Sequence, residues 1–151
     1  MLVVLEGMDR TGKSTLAAKY AALGFEVLHF SAPPKGATPE GYFAETLKLV
    51  ASTYGKKVVW DRSHYGELIW PQVFGRKPLL SESSVSQIDG IIRTLHRGEF
   101  EKIYMHDPDV AAHKSRLLAD NEPKYDYKLV CSIHRDIATR YHFTFKTLND
   151  I

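Results

Sequence analysis

Lys13 and Ser14 close the stretch Gly7-Met8-Asp9-Arg10-Thr11-Gly12-Lys13-Ser14-Thr15, which fits G-x-x-x-x-G-K-[ST], the phosphate-binding P-loop. Two glycines at that spacing let the backbone turn around a polyphosphate. The loop N–H groups and the dipole of the following helix then cradle it. Lys13 would reach the β and γ phosphates of a bound polyphosphate, the Ser14 hydroxyl would ligate Mg²⁺, and Gly7, Thr11, Gly12 and Thr15 would complete the cradle. A second reactive pair is Asp61-Arg62, which follows the apolar run Lys57-Val58-Val59-Trp60. A carboxylate at a strand end beside such a loop can bind Mg²⁺ through water or accept a proton from an attacking hydroxyl. A helix-capping Asp with a surface Arg is the plain alternative. Tyr65, Trp70 and Phe74 fit either a slot for a flat base, where stacking is worth roughly 1–3 kcal/mol per base, or core filling. The seven histidines show no metal-ligand spacing, and His64, though close to Asp61, is read as solvated or structural.

Alternating short strands and helices must position these groups. Leu2 to Leu5 reads as a buried strand, and Leu16 to Leu23 as a helix closed by Gly24. Val27 to Phe30 is a second strand. The loop 31–39, with three prolines and a glycine, falls at its C-terminal end, where α/β proteins bind ligands. A helix from about Pro39 or Glu40 to Thr53 carries the stripe Phe43, Leu47, Val50, and Gly55 ends it. The third strand is Lys57 to Trp60. Ser63 to Phe74 lacks clean helical periodicity and contains Pro71, which argues against an undisturbed helix. After the basic loop Gly75-Arg76-Lys77-Pro78, a helix over Ser81 to Arg97 is capped by Ser81, Ser83 or Ser84. It buries Val85, Ile88, Ile91, Ile92 and Leu95. Glu101 to His106 is the fourth strand. A short helix from about Pro108 to Leu118 precedes a loop or lid at Ala119 to Tyr127, flanked by Lys114, Arg116 and Lys124. A last helix at about Asp126 to Tyr141 leads to a fifth strand in His142 to Leu148. This order predicts parallel βαβ units in a helix-covered sheet. The expected architecture is a three-layer αβα P-loop NTPase fold with a parallel sheet of about five strands and a small lid over about 114–127.

The 151 residues predict a single domain over 1–151. The single cysteine, Cys131, excludes an internal disulfide framework and suits a reducing cytosol. It reads as an apolar filler. No segment nears the ~20 apolar residues that span a bilayer, and the first segment reads as a core strand rather than a signal peptide. A net charge of +2 is too small to argue for a nucleic-acid surface.

Glu6 to Thr15, the proline loop after the second strand, Asp61-Arg62 and the stretch Asp107 to Ala112 leading to a lid together resemble thymidylate kinase. Ser31 to Pro34 and Asp61 to Glu67 also resemble small phage-type kinases of that superfamily. The resemblance implies ATP and Mg²⁺ as cofactors, phosphoryl transfer in nucleotide biosynthesis and a cytoplasmic location, that of the host if phage-encoded. It implies that Arg10 bridges the transferred phosphoryl and the acceptor phosphate. Asp9 sits near the acceptor sugar or that arginine, Arg62 grips the acceptor 5′-phosphate, and Trp70 lies near its base. Arg76 is a further candidate for the base or its phosphate, Lys114 and Arg116 lie on the ATP side, and a homodimer is implied. The chain departs from the family in Ala32-Pro33-Pro34, in Ser63 after Asp61-Arg62 and in Lys114 where an arginine is usual.

These readings converge on transfer from ATP to a deoxynucleoside monophosphate. The same fold acting on a nucleoside, or on a hydroxymethylated pyrimidine in DNA, is the alternative, and a DNA acceptor predicts steep salt dependence. A guanine-binding switch needs Asn-Lys-x-Asp, which Asn121-Glu122-Pro123-Lys124 is not. A non-catalytic nucleotide-binding protein is a lesser reading.

Overall fold

The computed structural model describes residues 1–119 and 125–151. Its centre is a five-stranded, wholly parallel sheet in the order β2-β3-β1-β4-β5. The strands are β1 (Leu2–Glu6), β2 (Glu26–His29), β3 (Val58–Asp61), β4 (Phe100–Met105) and β5 (Thr144–Lys146). β1 lies in the middle because Leu2 to Leu5 is a continuous apolar run that can be buried on both faces. Its alternating side chains divide between two cores. Val3 and Leu5 pack on α1 (Lys13–Ala22) with Leu16 and Ala17. Leu2 and Val4 join the opposite core, shared with α2 (Pro39–Ser52), α3 (Gly66–Phe74), α4 (Glu82–Leu95) and α6 (Tyr127–Arg140). α5 (Val110–Ala119) contributes Leu117 to a third cluster with Met8, Tyr127 and Val130. The result is the three-layer α/β architecture that the alternation predicts.

Several local expectations are corrected. α1 begins at Lys13 rather than Leu16, so Lys13 and Ser14 are themselves helical. Ser63 to Phe74 is not irregular: Gly66–Phe74 is α3, with Pro71 inside it. An interior proline costs about 3 kcal/mol. Leu68, Ile69 and Pro71 itself are buried, and that apolar burial outweighs the lost backbone bond. Ile91 is 41% exposed and leaves the expected stripe of α4. Of the three candidate caps, Ser81 takes the role, its hydroxyl accepting from Ser84 N at 3.1 Å. β5 is shorter than His142 to Leu148, and a 3₁₀ turn, Leu148–Asp150, follows it. Of the expected lid, 120–124, including Lys124, lies outside the described residues. Among the described residues no helix is long and apolar enough to cross a membrane.

Candidate active site

The turn from β1 into α1 has the geometry that a phosphate cradle needs. Gly7 (φ +144°) passes so close to β4 that an added Cβ would lie 2.4 Å from the Met105 carbonyl oxygen. Gly12 (φ +103°) caps α1 in the left-handed region, where glycine is favoured. Inside the turn, Thr11 Oγ1 and Lys13 Nζ both donate to the Met8 carbonyl, each at 2.7 Å. Burial, with the Arg62 charge adding to it, holds the Lys13 amine down to about 8, against the pull of Asp9, Asp61 and Glu6. Ser14 and Thr15 are exposed at the helix start. A Gly7→Ala variant forces its methyl into backbone at a φ that L residues resist. Thermal melts and ATP titration should show a loss of roughly 2 kcal/mol or more in stability together with lost ATP binding.

β3 ends beside this loop because Leu5 pairs with Asp61 in register. Asp61 is buried. His29 Nδ1, at the end of β2, lies 3.0 Å from its Oδ2, while its Oδ1 is buried with no hydrogen-bond partner. An unsatisfied buried carboxylate oxygen beside the cradle, with the Ser14 hydroxyl at the helix start, is a donor set of the all-oxygen kind Mg²⁺ prefers. The next residue, Arg62, turns away in the left-handed region (φ 65°). Its guanidinium donates to Asp9 Oδ1 at 2.6 Å and to the Gly7 carbonyl at 3.3 Å, and lies over the Trp70 ring at 5.6 Å. Arg10 also adopts a left-handed φ of 62°. Such conformations in non-glycine residues cost on the order of 1–3 kcal/mol and collect at functional sites.

Arg62 and Asp9 form one wall of a cleft of about 630 Å³. Trp70 and Phe74, one turn apart on α3, stack at 5.8 Å with 18° between their planes and form another wall. The proline loop contributes Ser31, Ala32 and Pro33, as its place at a strand end predicts. Arg76 also lines the cleft. Its two terminal nitrogens fork onto Glu67 Oε1 (3.0 Å) and Oε2 (2.6 Å), and Leu79 N donates to the same carboxylate at 2.8 Å.

Tyr65 does not take the predicted place. It is fully buried, its hydroxyl donating to Asp89 and its ring packed on Tyr141 and Phe143, so it lines no wall of the cleft. Arg116 pairs with Asp107 and donates to the Arg10 carbonyl at 3.3 Å, while Lys114 lies further up α5 beside a smaller cavity that includes Thr11. His113 ties α5 to the loop, its Nε2 at 2.7 Å from the Asp9 carbonyl and its Nδ1 at 2.6 Å from the Tyr127 hydroxyl. Lys13, Asp9, Arg62 and Asp61 are thus gathered at one end of the sheet, and Trp70, Phe74 and Arg76 on the facing cleft.

Residues not singled out from the sequence complete the surroundings. Phe30, Tyr42, Glu67 and Tyr125 line the cleft. Glu6, at the end of β1, is buried with neither carboxylate oxygen hydrogen-bonded, and burial pushes it up to about 7 despite Arg62 and Lys13 nearby. His134 of α6 is buried edge-on to Trp70 with neither ring nitrogen bonded. Burial, then Arg62 and Lys13, holds it down to about 3. Only the position of Glu6 immediately before Gly7 could have signalled its place.

These two groups give opposite pH slopes. Glu6 keeps its proton up to about pH 7 in the fold but only to 4.5 when unfolded, so its contribution to stability falls as pH rises between them. His134 charges near pH 6.5 when unfolded but only near 3 in the fold, so stability falls as pH drops between them. Each slope is about 1.4 kcal/mol per pH unit, and from pH 4.5 to 6.5 they oppose. Urea unfolding of parent and variants across that window separates the two contributions. Glu6→Gln should lose stability toward acid, and His134→Leu should gain it.

The turn between a central parallel strand and α1, with an acidic strand end beside it, defines a P-loop nucleotide-binding fold. More particularly, its arrangement of strands and helices is similar to that of solved P-loop kinases, among them a thymidylate kinase. No protein-family model matches the sequence. No curated protein matches it either. Among solved structures, the YorR protein of Bacillus subtilis, in complex with phosphorylated GDP, superposes with a TM-score of 0.77 at 24% identity, over 97% of this chain and 84% of that one. Thymidylate kinase of Candida albicans matches at TM-score 0.55 and 14% identity, over 96% and 82%. Polyphosphate kinase 2 of Arthrobacter aurescens matches at TM-score 0.60 and 19% identity, over 92% of this chain but 55% of that one.

Proposed function

We propose that this protein is a nucleotide kinase that transfers a phosphoryl group from ATP to a deoxynucleoside monophosphate. The observation that carries the reading is the juxtaposition of Lys13 in the loop with the Arg62–Asp9 pair at the mouth of an aromatic cleft. A loop alone serves hydrolysis; a second cleft sharing its cations serves transfer. The relatives named above, a thymidylate kinase and a protein crystallised with phosphorylated GDP, support a nucleotide acceptor.

In this reading the loop amides and Lys13 hold the ATP phosphates, and Ser14 and Asp61 would hold Mg²⁺, which would supply charge neutralisation at the phosphates. A monophosphate attacks through a phosphate oxygen that carries no proton, so Asp61 would act as a base only for the hydroxyl of a nucleoside or hydroxymethylated acceptor. Arg62 exchanges Asp9 for the acceptor 5′-phosphate, and Asp9 faces the sugar. Arg10 stabilises the phosphoryl in flight. Trp70 and Phe74 flank the base and Arg76, steadied by Glu67, meets its edge. Lys114 and Arg116 close the ATP side, since a site open to water would hydrolyse ATP.

The test is phosphate transfer from labelled Mg-ATP across a panel of deoxynucleoside monophosphates, nucleosides and hydroxymethylated duplex DNA. Transfer to a monophosphate, weakly dependent on salt, is expected. Transfer only to DNA with a steep salt slope, or only to nucleosides, moves the acceptor class. ATP binding without transfer to anything defeats the proposal.

A further inference from the structure

Beneath the cleft lies a polar cluster that none of the roles above uses. Asp89 interrupts the apolar stripe Val85, Ile88, Ile92 of α4 and is 3% exposed. His64 Nε2 lies 2.7 Å from its Oδ1, and the Tyr65 hydroxyl donates to its Oδ2. Lys102 of β4 donates to the Tyr65 hydroxyl at 2.9 Å and to Asp89 Oδ2 at 3.3 Å. Burial alone would raise the Asp89 carboxyl. The bonds from His64 and Tyr65, with Lys102, outweigh it and hold the group below its ordinary range, so the cluster keeps a true internal carboxylate.

A buried ion pair is seldom the most stable filling for a core: apolar side chains of similar volume often do as well or better. What this one touches suggests another use. The turn from β3 to α3 alternates in pairs. Arg62 and Ser63 line the cleft, His64 and Tyr65 point down into the cluster, and Gly66 and Glu67 line the cleft again. Both inward residues are completely buried. Arg62 itself sits in a left-handed conformation, which persists only where neighbours over-determine it.

We infer that Asp89 and Lys102 are positioning residues for the acceptor side, pinning His64 and Tyr65 so that Arg62, and Arg76 through its partner Glu67, are presented to the acceptor. The acceptor half of this inference rests on the kinase reading; the pinning of Arg62 does not.

The test replaces the whole cluster with apolar groups in His64→Leu/Tyr65→Phe/Asp89→Leu/Lys102→Met and compares it with the parent. The expected variant is folded, melts near the parent's temperature and has an unchanged KM for ATP. Its KM for the acceptor rises about tenfold to about a hundredfold, the scale on which small misplacements act. A folded variant with parental KM for both substrates overturns the inference, as does an equal rise in both. If the fourfold variant does not fold, Tyr65→Phe alone removes one hydroxyl and is judged by the same split between the two KM values. If the parent phosphorylates no acceptor, the kinase reading fails separately. The pinning is then judged by ¹⁵N NMR of the Arg62 Nε–H and the Gly7 and Asp9 amides. Shifts in the variant uphold it, and unmoved signals overturn it.

Discussion

Lys13→Ala is expected to abolish phosphoryl transfer, by roughly 10³-fold or more, while leaving the chain folded. The side chain is almost wholly buried, its amine 2.7 Å from a loop carbonyl and held down to about 8 by burial. A charge kept that dry acts on a phosphate far more strongly than one in water. Removing it relieves desolvation, so the melting temperature should hold or rise while initial rates with labelled ATP vanish. Lys13→Arg should not rescue, because a planar fork does not fit where a single ammonium tip is enclosed. A residual rate within tenfold of the parent would remove Lys13 from the chemistry.

Asp61→Asn is the second large effect, with kcat expected to fall roughly 10²–10³-fold. The substitution keeps shape and removes charge. Asparagine can still meet His29, whose Nδ1 lies 3.0 Å from one carboxylate oxygen, so the strand end should stay in place. What is lost is the anionic character of the unpartnered Oδ1. Rates measured against Mg²⁺ concentration should show a higher metal requirement along with the fall in kcat. Asp61→Ala should do at least as much damage. Unchanged metal dependence and unchanged kcat would leave Asp61 as a partner of His29 only.

The parts of this site legible in the sequence are those fixed by local spacing. The loop needs glycines, lysine and a hydroxyl at set intervals, and a parallel sheet brings the ends of β1 and β3 side by side, so Asp61-Arg62 could be placed beside Lys13. The aromatic run was harder. Residues 63–74 have no clear period, and which ring faces the cleft depends on where a helix starts. Once Gly66–Phe74 is helical, Trp70 and Phe74 share a face, while Tyr65, just outside the helix, is drawn to Asp89. Asp89 pairs with Lys102 on another element, and Glu67 with Arg76 across the turn that ends α3, so neither pairing shows as a local spacing. Backbone sign at Arg10 and Arg62 is beyond any residue pattern, since arginine has no preference for it.

Those two arginines also bear on how such a protein drifts. Each is held in a left-handed conformation that glycine or asparagine adopts with less strain, and Arg62 offsets that strain with its bonds to Asp9 and Gly7. Under the roles proposed for these two residues, backbone strain and activity pull in opposite directions at positions 10 and 62. A copy of this chain released from that reaction would keep the two arginines only as far as their own contacts offset the strain.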